Sequence, residues 1–324
     1  MTSATFPGTG IIPTRNRTRS LERTLASLAE QSLQPARIVI VDASDDVSTE
    51  ELCREIVRRD DRWSGAVFEL LWRPARTRGA AAQRNQAMPD IVGEAVLFMD
   101  DDVLFEPECI ARLWTAYRSD PGIGAASVLV TNEAYAAPGL AWRLLLRWLA
   151  GRKLESYAGR CVGPAAIQMP ADDPSLPEIV PIDWMPTGCA LFRREALPAP
   201  LFDPFFEGYS YMEDTALSLR VGKTWKLVNA RTARLYHDSQ PGEHKSDMTA
   251  LSRMEMINRH HVMTTLLGRD TPSDIRRLAV YEFARVISLG LNRASRWKFR
   301  PALRGKLAAL REIRNARKPG VQTG

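Results

Sequence analysis

The sequence predicts an α/β protein with a mostly parallel central sheet flanked by helices, followed by a helical C-terminal region. Two observations support this fold class. In the first part of the chain, charge-free apolar runs alternate with segments that carry leucine at helical spacing, the pattern of a parallel sheet with crossover helices. Beyond Asp247 the composition changes to helix formers with basic faces. We therefore predict one α/β unit over residues 1–245 and a helical region over residues 246–324.

The first elements are predicted to form a βαβ unit. An apolar strand stops at Pro13, and the following helix carries leucines at helical spacing with Thr18 as its predicted cap. A second apolar strand ends at Asp42. Strand, helix and strand within about 30 residues imply a parallel sheet. A third strand then leads through Pro74 into a basic turn and another helix.

The fourth strand, Val96 to Phe105, contains three consecutive carboxylates, Asp100, Asp101 and Asp102. Ligands of open α/β sheets bind beyond the carboxyl ends of the strands, so these carboxylates are expected to face a crevice. Adjacent anions repel one another unless a cation neutralises them. Because side chains alternate along an extended chain, Asp100 and Asp102 are predicted to share one side and to bind Mg²⁺ or Mn²⁺. The alternative is that Asp102 caps a helix that begins near Pro107.

Polar residues follow each of the first four predicted strands. They are Thr14 and Arg15, then Asp42, then Arg78, and finally the three aspartates. An aspartate can accept a hydrogen bond from a base or a ribose, and an arginine at a helix start suits a diphosphate. The pattern therefore favours a nucleotide pocket, although Asp42 and Arg78 taken singly could also be loop residues. The sequence contains neither G-x-G-x-x-G nor a P-loop motif.

Composition narrows the partners and the compartment. The 324 residues carry 44 basic and 38 acidic side chains, a net charge of +6, which favours an anionic partner. Nucleic acid, a nucleoside diphosphate and an anionic membrane surface all satisfy this charge. The four cysteines lie far apart without C-x-x-C spacing, which disfavours a zinc site and indicates a reducing compartment. No signal peptide and no uncharged stretch of about 18 to 20 residues is visible, so we expect a cytoplasmic protein.

The segment Leu140 to Ala150 is strongly apolar but also carries two tryptophans and two arginines. A helix of this kind could lie in a membrane interface and collect a lipid-borne substrate. The alternative is that it packs on its own domain.

Further candidate residues lie in the second part of the chain. Glu213 and Asp214 begin a predicted helix, where carboxylates can serve as caps or, beside a metal, as a general base. His237 ends a predicted strand, where it is either a structural residue or a further ligand of the same metal. Gly188 precedes a strand and allows close approach of the backbone.

The chain resembles the family 2 glycosyltransferases, whose catalytic domain has the GT-A fold with a Rossmann-like sheet. The likeness extends from Gly10 to Asp238, and the segment INRHHVM at residues 257–263 shows a weaker similarity. The matching segments, in order, are IIPTRNR, IVIVDASD, TRGAAAQRNQAM, LFMDDDV, the W-x-x-x-G-x-x-x-F-R-R stretch from Trp184 to Arg194, YMEDTALSLR and LYHD. The resemblance implies a nucleotide-sugar half over about residues 1–130 and an acceptor half over about residues 131–245.

The resemblance also implies roles for individual residues. The nucleotide-binding residues would be Pro13, Thr14, Arg15, Asp42 and Arg78, with Asp42 on the base and with Asp100 and Asp101 beside them. The metal ligands would be Asp100, Asp102 and His237. Asp214 of the Glu213–Asp214 pair would be the general base, and Trp184 and Gly188 would shape the acceptor side. Two positions depart from the family pattern, Arg15 where an aromatic is frequent and His261 where tyrosine is frequent.

The expected function is inverting transfer of a sugar from a nucleoside diphosphate donor, with a UDP- or dTDP-sugar favoured. The acceptor would be a glycan or a lipid-linked saccharide of a cell-surface polysaccharide, with peripheral contact at the inner face of the cell membrane and no nucleic acid partner. The sequence implies no particular oligomeric state. Two alternatives remain, a sugar-phosphate nucleotidyltransferase and a non-catalytic carbohydrate-binding scaffold. The first would need a Gly-rich loop after the first strand, and IIPTRNR has none.

Overall fold

The computed structural model describes residues 3–58, 63–133, 136–151, 156–171, 175–206, 208, 211–239 and 247–316. The strands are β1 (Ala4–Thr14), β2 (Leu33–Asp42), β3 (Glu69–Pro74), β4 (Ala95–Met99), β5 (Val103–Phe105), β6 (Ile123–Val130), β7 (Cys161–Val162), β8 (Ile167–Gln168), β9 (Ile179–Pro181), β10 (Cys189–Arg193) and β11 (Lys226–His237). The helices are α1 (Thr18–Ala29), α2 (Ser48–Arg58), α3 (Ala80–Gln86), α4 (Cys109–Arg118), α5 (Leu140–Ala150), α6 (Glu213–Val221), α7 (Met248–His261), α8 (Pro272–Leu291) and α9 (Phe299–Ala316).

The main sheet has the order β3-β2-β1-β4-β10-β6-β11-β5 within the described part of the chain, with β9 paired to β11. The first four strands are parallel, as predicted, and β6 is parallel to β11. β10 runs antiparallel between β4 and β6 and joins the two parallel groups. The register pairs Thr14 with Asp42 at the carboxyl ends of β1 and β2. The first strands therefore end at one edge of the sheet.

β4 lies in the interior because both of its faces are covered. Leu97 and Met99 belong to the core between the sheet and α1, α2 and α4. Val96 and Phe98 point to the opposite side, into the core that contains residues of α3 and α6. Successive side chains of a strand alternate between faces, so a strand buried on both sides is apolar throughout. This arrangement explains the charge-free run before the aspartates.

Several sequence-based details are corrected by the structure. The run from Val96 to Phe105 is two strands, because Asp100–Asp102 forms a turn and β5 pairs with β11 instead of continuing β4. The following helix begins at Cys109 with Glu108 at its N-cap, so Asp102 does not cap it. The strand that ends at His237 is β11, which begins as early as Lys226 and continues through a register shift between Ala230 and Arg234.

Thr18 is also not a cap. It is the first residue of α1, and no side chain caps that helix. Its hydroxyl lies 2.9 Å from the hydroxyl of Thr49 in α2. Thr18 therefore links two helices on the same face of the sheet.

The C-terminal region is helical, as predicted, and its described residues 247–316 include α7, α8 and α9. α7 packs closely on α9, and α8 lies against both. α5 packs against α8, where the rings of Trp142 and Tyr281 lie 6.3 Å apart and Arg277 lies 5.7 Å from the ring of Trp148. The predicted boundary at residue 245 and the tail 317–324 lie outside the described residues. In the described part of the chain, no helix combines the length and apolarity needed to cross a membrane.

Candidate active site

A cleft of about 810 Å³ lies at the carboxyl ends of β1 and β4. We call it the acidic cleft. Its lining includes Pro13, Thr14, Arg15, Arg17, Arg78, Arg84, Gln168, Thr187, Gly188, Tyr211, the aspartates at 100 to 102, Glu213, Asp214 and His237. Most of the residues singled out in the sequence therefore lie around one space, although they come from segments more than 200 positions apart.

Three side chains in the acidic cleft form a candidate metal centre. Asp100, Asp102 and His237 each offer a ligand atom, and these atoms lie within 4.8 Å of one another. The Nε2 atom of His237 is 3.1 Å from Oδ1 of Asp102. Two carboxylates and one imidazole suit Mn²⁺, and the carboxylates also suit Mg²⁺. The donor set therefore fits the divalent cation that the sequence predicts.

The protonation state of His237 depends on the carboxylates around it. The hydrogen bond that the ring of His237 donates to Asp102, followed by the one to Glu133, raises the pKa of His237 to about 10. His237 therefore carries a proton when only the carboxylates surround it. A metal that binds at the ring nitrogen must displace this proton, because only neutral imidazole is a ligand.

Asp101 has a different role from its two neighbours. Its side chain turns inward, where it accepts a hydrogen bond of 2.6 Å from the hydroxyl of Thr14. Burial raises the pKa of Asp101 to about 6, against the opposing effects of Thr14 and Arg17. The guanidinium of Arg17 lies 3.2 Å from Asp101 and 3.3 Å from Asp102. Asp101 thus joins the turn after β4 to the end of β1.

Asp100 is held in place by two residues that are not candidate metal ligands. The Nη2 atom of Arg84 in α3 lies 2.5 Å from Oδ1 of Asp100. The backbone N–H of Asp100 donates to the carbonyl of Gly188 at 2.9 Å. A Cβ atom at Gly188 would lie only 3.0 Å from Oδ2 of Asp100. Glycine therefore lets the backbone approach Asp100 closely, and a larger residue here would press on the carboxylate.

Glu213 and Asp214 form the first turn of α6. Burial raises the pKa of both carboxyls, and in Glu213 the neighbouring charge of Asp214 adds to the effect. Asp214 accepts hydrogen bonds from the backbone N–H of Thr215 at 2.6 Å and from its hydroxyl at 3.2 Å. A partly desolvated carboxylate with a raised pKa is well suited to take up a proton. The arrangement can therefore supply a general base.

The remaining predicted residues lie at the rim or outside the acidic cleft. Arg15 and Arg78 line its mouth, and both contact Asp45, at 3.5 Å and 2.5 Å. Asp42 is buried and does not line the acidic cleft. Its carboxylate oxygens accept hydrogen bonds from the backbone N–H of Ser44 at 2.9 Å and from the indole N–H of Trp72 at 3.2 Å.

Trp184 does not line the acidic cleft either. Its indole N–H donates to the carbonyl of Met169 at 2.9 Å. Met169 lines a second cavity beside the acidic cleft, so Trp184 supports the wall of that neighbouring space.

Sequence reasoning missed several residues that line the cleft, among them Arg17, Arg84, Gln168 and Tyr211. Arg17 and Arg84 lie within the family-like segments IIPTRNR and TRGAAAQRNQAM. Arg15 and Arg78 were selected from these segments instead. Gln168 lies in a proline-rich stretch without a recognisable pattern. Only the folded chain brings it to the cleft.

Comparisons with solved structures show the same fold. The mannosyltransferase PcManGT from Pyrobaculum calidifontis, solved with GDP-Man and Mn²⁺, is 16% identical with a TM-score of 0.53, and the match covers 97% of this chain and 89% of that one. Residues 1–349 of S. aureus TarS are 16% identical with a TM-score of 0.51, and the match covers 95% of this chain and 82% of that one. GalNAc-T7, solved with UDP, GalNAc and Mn²⁺, is 18% identical with a TM-score of 0.51. That match covers 71% of this chain but 43% of GalNAc-T7. The central sheet with its flanking helices is therefore a GT-A fold, as predicted.

The sequence itself matches a family description. No curated protein sequence matches the chain significantly. The sequence model of glycosyl transferase family 2 matches residues 9–197, which is more than half of the chain. The matched range contains the aspartate turn and Gly188, and it favours a glycosyltransferase over a nucleotidyltransferase or a scaffold. The chain belongs to glycosyl transferase family 2 and is a glycosyltransferase.

Proposed function

We propose that the enzyme transfers a sugar from a nucleoside diphosphate donor to an acceptor hydroxyl with inversion at the anomeric carbon. One observation carries the proposal. The cation-binding set Asp100, Asp102 and His237 lines the same cleft as the buried carboxylates Glu213 and Asp214. A proposed site for the leaving group and a proposed site for proton removal thus line one cleft, which supports a single displacement.

The donor is assigned to the side of the cleft formed by β1 and α3. Pro13, Thr14 and Arg15 at the end of β1 would contact the nucleotide, and Arg78 would contact the diphosphate. Asp42 is registered beside Thr14 on the neighbouring strand, so we place the base against that strand end. We favour a UDP- or dTDP-sugar as donor.

Mg²⁺ or Mn²⁺ would be held by Asp100, Asp102 and His237. When bound, the cation offsets the negative charge that develops on the departing nucleoside diphosphate. The structures of PcManGT and GalNAc-T7 contain Mn²⁺ with a sugar nucleotide or UDP, which supports this assignment. Arg84 orients Asp100, and Arg17 orients Asp102.

Asp214 is proposed as the general base. It takes the proton from the acceptor hydroxyl while that oxygen forms a bond to the anomeric carbon. The bond between the anomeric carbon and the diphosphate oxygen breaks in the same step, and the electron pair leaves with the diphosphate. Attack from the face opposite the leaving group inverts the configuration. Glu213, whose pKa is also raised, sits beside Asp214 and influences when Asp214 is ionised.

The acceptor is proposed to be a glycan or a lipid-linked saccharide presented at the inner face of the cell membrane. Leu140, Leu144 and Trp148 are exposed at every fourth position of α5, where Arg143 and Arg147 are also exposed. The adjacent α8 and the turn after it expose Ile287, Leu291 and Trp297. Exposed apolar and aromatic residues interleaved with arginine suit an anionic interface. We further propose that residues 1–245 carry out catalysis and that residues 246–324 serve acceptor docking.

The donor side is tested by thermal shift with UDP, dTDP and GDP, each with and without Mn²⁺. A ligand that binds the folded state stabilises it by RT ln(1 + [L]/Kd), so the preferred base is expected to give the largest Mn²⁺-dependent shift. Stabilisation that is independent of Mn²⁺ would contradict the metal-assisted mechanism. Release of pyrophosphate from a nucleoside triphosphate, instead of a nucleoside diphosphate from a sugar nucleotide, would contradict glycosyl transfer.

Membrane contact is tested by co-sedimentation with vesicles of anionic and of zwitterionic phospholipid. Wild-type protein is expected to sediment with the anionic vesicles. Leu144→Glu should release it, whereas Val57→Glu, at an equally exposed apolar residue of α2, should not. Equal sedimentation of both variants would exclude α5 as the contact.

A further inference from the structure

A second cavity, of about 470 Å³, lies between α5, β8 and the C-terminal helices. Its apolar lining residues include Trp142, Leu146 and Leu289. Its charged lining residues are Glu255, Arg285, Lys298 and Lys306. A cavity lined by both apolar and charged side chains matches an amphiphilic ligand, because each part of the ligand finds a partner. We call this space the amphiphilic cavity.

The charges around this cavity do not balance. Glu282 is fully buried and lies 3.0 Å from Arg259 and 2.7 Å from Lys306. Glu255 lies 3.0 Å from Lys306 and 3.4 Å from Arg285. Among these described side chains, three cations face two carboxylates, so the cluster has one positive charge in excess.

The excess charge is located on the side of Arg285. Lys306 is buried and already bridges both carboxylates, while Arg285 shares Glu255 with it at the longer distance. Lys298 adds another cation to the cavity lining. The side chain of Arg285 is 36% exposed, so its charge is accessible to a ligand. A ligand with an anionic group would complete the cluster.

The amphiphilic cavity shares a wall with the acidic cleft. Gln168 lines both spaces. Its Nε2 atom donates to the hydroxyl of Thr215 at 2.5 Å, and its Oε1 atom accepts from the hydroxyl of Tyr211 at 3.0 Å. Thr215 in turn donates to Asp214, the proposed base. A ligand in the amphiphilic cavity is thus separated from the base by two hydrogen-bonded side chains.

We propose that the amphiphilic cavity binds an acceptor that carries an apolar chain and an anionic headgroup, with Arg285 and Lys298 receiving the anion. This inference rests on the proposed glycosyl transfer and specifies its acceptor class. The apolar chain lies against Trp142 and Leu289, and the hydroxyl to be glycosylated points past Gln168 toward Asp214. α5 and α8 both supply lining residues of the cavity and both carry exposed apolar residues, so the proposed membrane contact and the cavity belong to the same two helices.

The test uses decyl phosphate as the probe, with inorganic phosphate and decyl maltoside as comparison ligands, by isothermal titration calorimetry. Decyl phosphate is expected to bind more tightly than either comparison ligand, since only it offers both the chain and the charge. Arg285→Met should weaken its binding about 10- to 100-fold, the range for loss of one hydrogen bond to a charged group. Arg285→Lys should restore most of the affinity. Arg276→Met, at an exposed arginine of the same helix, is the matched control and should have no effect.

A second variant protects the test against misfolding. Ser288 lines the cavity but is exposed, so Ser288→Glu adds a negative charge without removing a buried partner. It should weaken decyl phosphate binding, whereas Ser288→Gln should not. Equal affinity for decyl phosphate and decyl maltoside, or unchanged affinity in both Arg285→Met and Ser288→Glu, would overturn the inference.

The outcomes separate this inference from the proposed function. Mn²⁺-dependent binding of the nucleoside diphosphate, and hydrolysis of the sugar nucleotide with water as acceptor, are measured in the wild-type protein beside decyl phosphate binding. If those activities persist while decyl phosphate fails to bind, only the acceptor class is wrong. If wild-type protein binds decyl phosphate but no nucleoside diphosphate, the donor assignment is wrong instead.

Discussion

The guanidinium of Arg84 lies 2.5 Å from the carboxylate of Asp100, although the side chain of Arg84 is 2% exposed and that of Asp100 is 34% exposed. The pair therefore runs from the interior into the acidic cleft. Arg84 also lies 3.4 Å from the carbonyl of Thr187, next to Gly188. A buried cation thus orients one oxygen of Asp100 and leaves the other toward the cleft, which positions a metal ligand before any cation arrives.

Arg84→Met is expected to lower the free energy of unfolding by about 1.5–3 kcal/mol, because a hydrogen bond to a charged group is lost. Mn²⁺ affinity should fall as well, since Asp100 is no longer oriented. Chemical denaturation and Mn²⁺ titration measure the two effects. Arg118→Met, at an exposed arginine stacked on Trp114, is the control and should leave Mn²⁺ affinity unchanged. Full Mn²⁺ affinity in Arg84→Met would show that Arg84 does not position Asp100.

Gly188→Ala is expected to reduce turnover by less than about 10²-fold, the cost of misplacing a catalytic group by about 1 Å. The added Cβ would meet Oδ2 of Asp100 at 3.0 Å, so the carboxylate must shift by a few tenths of an ångström. Gly139→Ala is the matched control, because a Cβ there meets nothing within 4 Å. Steady-state kinetics with a sugar nucleotide compares the two. If both variants are equally active, the close approach at Gly188 has no functional consequence.

Asp102→Asn and His237→Ala are each expected to weaken Mn²⁺ binding by at least about 10- to 100-fold, the effect of losing an outer-shell partner of a metal site. Each substitution removes one of the three candidate ligands. Isothermal titration calorimetry of the purified protein with Mn²⁺ measures the affinity. Asp120→Asn, at a surface aspartate paired with Lys226, should bind Mn²⁺ like wild type. Wild-type affinity in both ligand variants would mean that the cation binds elsewhere.

Asp214→Asn is expected to reduce kcat by about 10²- to 10⁴-fold, the contribution of a general base. Mn²⁺-dependent binding of the nucleoside diphosphate should be retained, because the ligands of the proposed metal are unchanged. Single-turnover kinetics and thermal shift measure the two properties. Glu213→Gln leaves Asp214 able to ionise and should lose less activity. A larger loss in Glu213→Gln than in Asp214→Asn would reverse the assignment of the base.

The stability of the metal-free protein should fall as pH rises, in part because of Glu213. Burial and the charge of Asp214 raise its pKa from 4.5 to about 8. Between pH 4.5 and about 8, Glu213 keeps its proton in the folded chain but releases it in the unfolded chain. The contribution of Glu213 to the free energy of unfolding is therefore largest below pH 4.5 and declines as the pH rises toward about 8. Glu213→Gln cannot ionise and should lose this part of the decline. Thermal unfolding at several pH values should show the variant gaining on wild type as pH increases.

An equal pH dependence of unfolding in both proteins would contradict the raised pKa. Glu195→Gln serves as the control for a glutamate outside the cleft. Its curve should follow the wild-type curve.

Local patterns predicted much of the fold because they reflect local physics. The run before Asp100 is apolar since both faces of β4 are covered, and the Glu213–Asp214 pair begins α6 as expected. Where the chain changes direction without a local signal, prediction failed. The turn at Asp100–Asp102 separates β4 from β5, and β11 continues through a register shift. Both features depend on which strand lies alongside, and that information is not local.

The sequence by itself determined which residue types were available, namely three adjacent aspartates, a Glu–Asp pair and a histidine at a strand end. Only the tertiary structure decided that Asp101 turns inward to Thr14, that Arg84 supports Asp100, and that Gln168 joins two cavities. The physical reason is distance along the chain. Hydrogen bonds and ion pairs depend on separations of a few ångströms, and residues 16 to 135 positions apart reach those separations only after the sheet has formed.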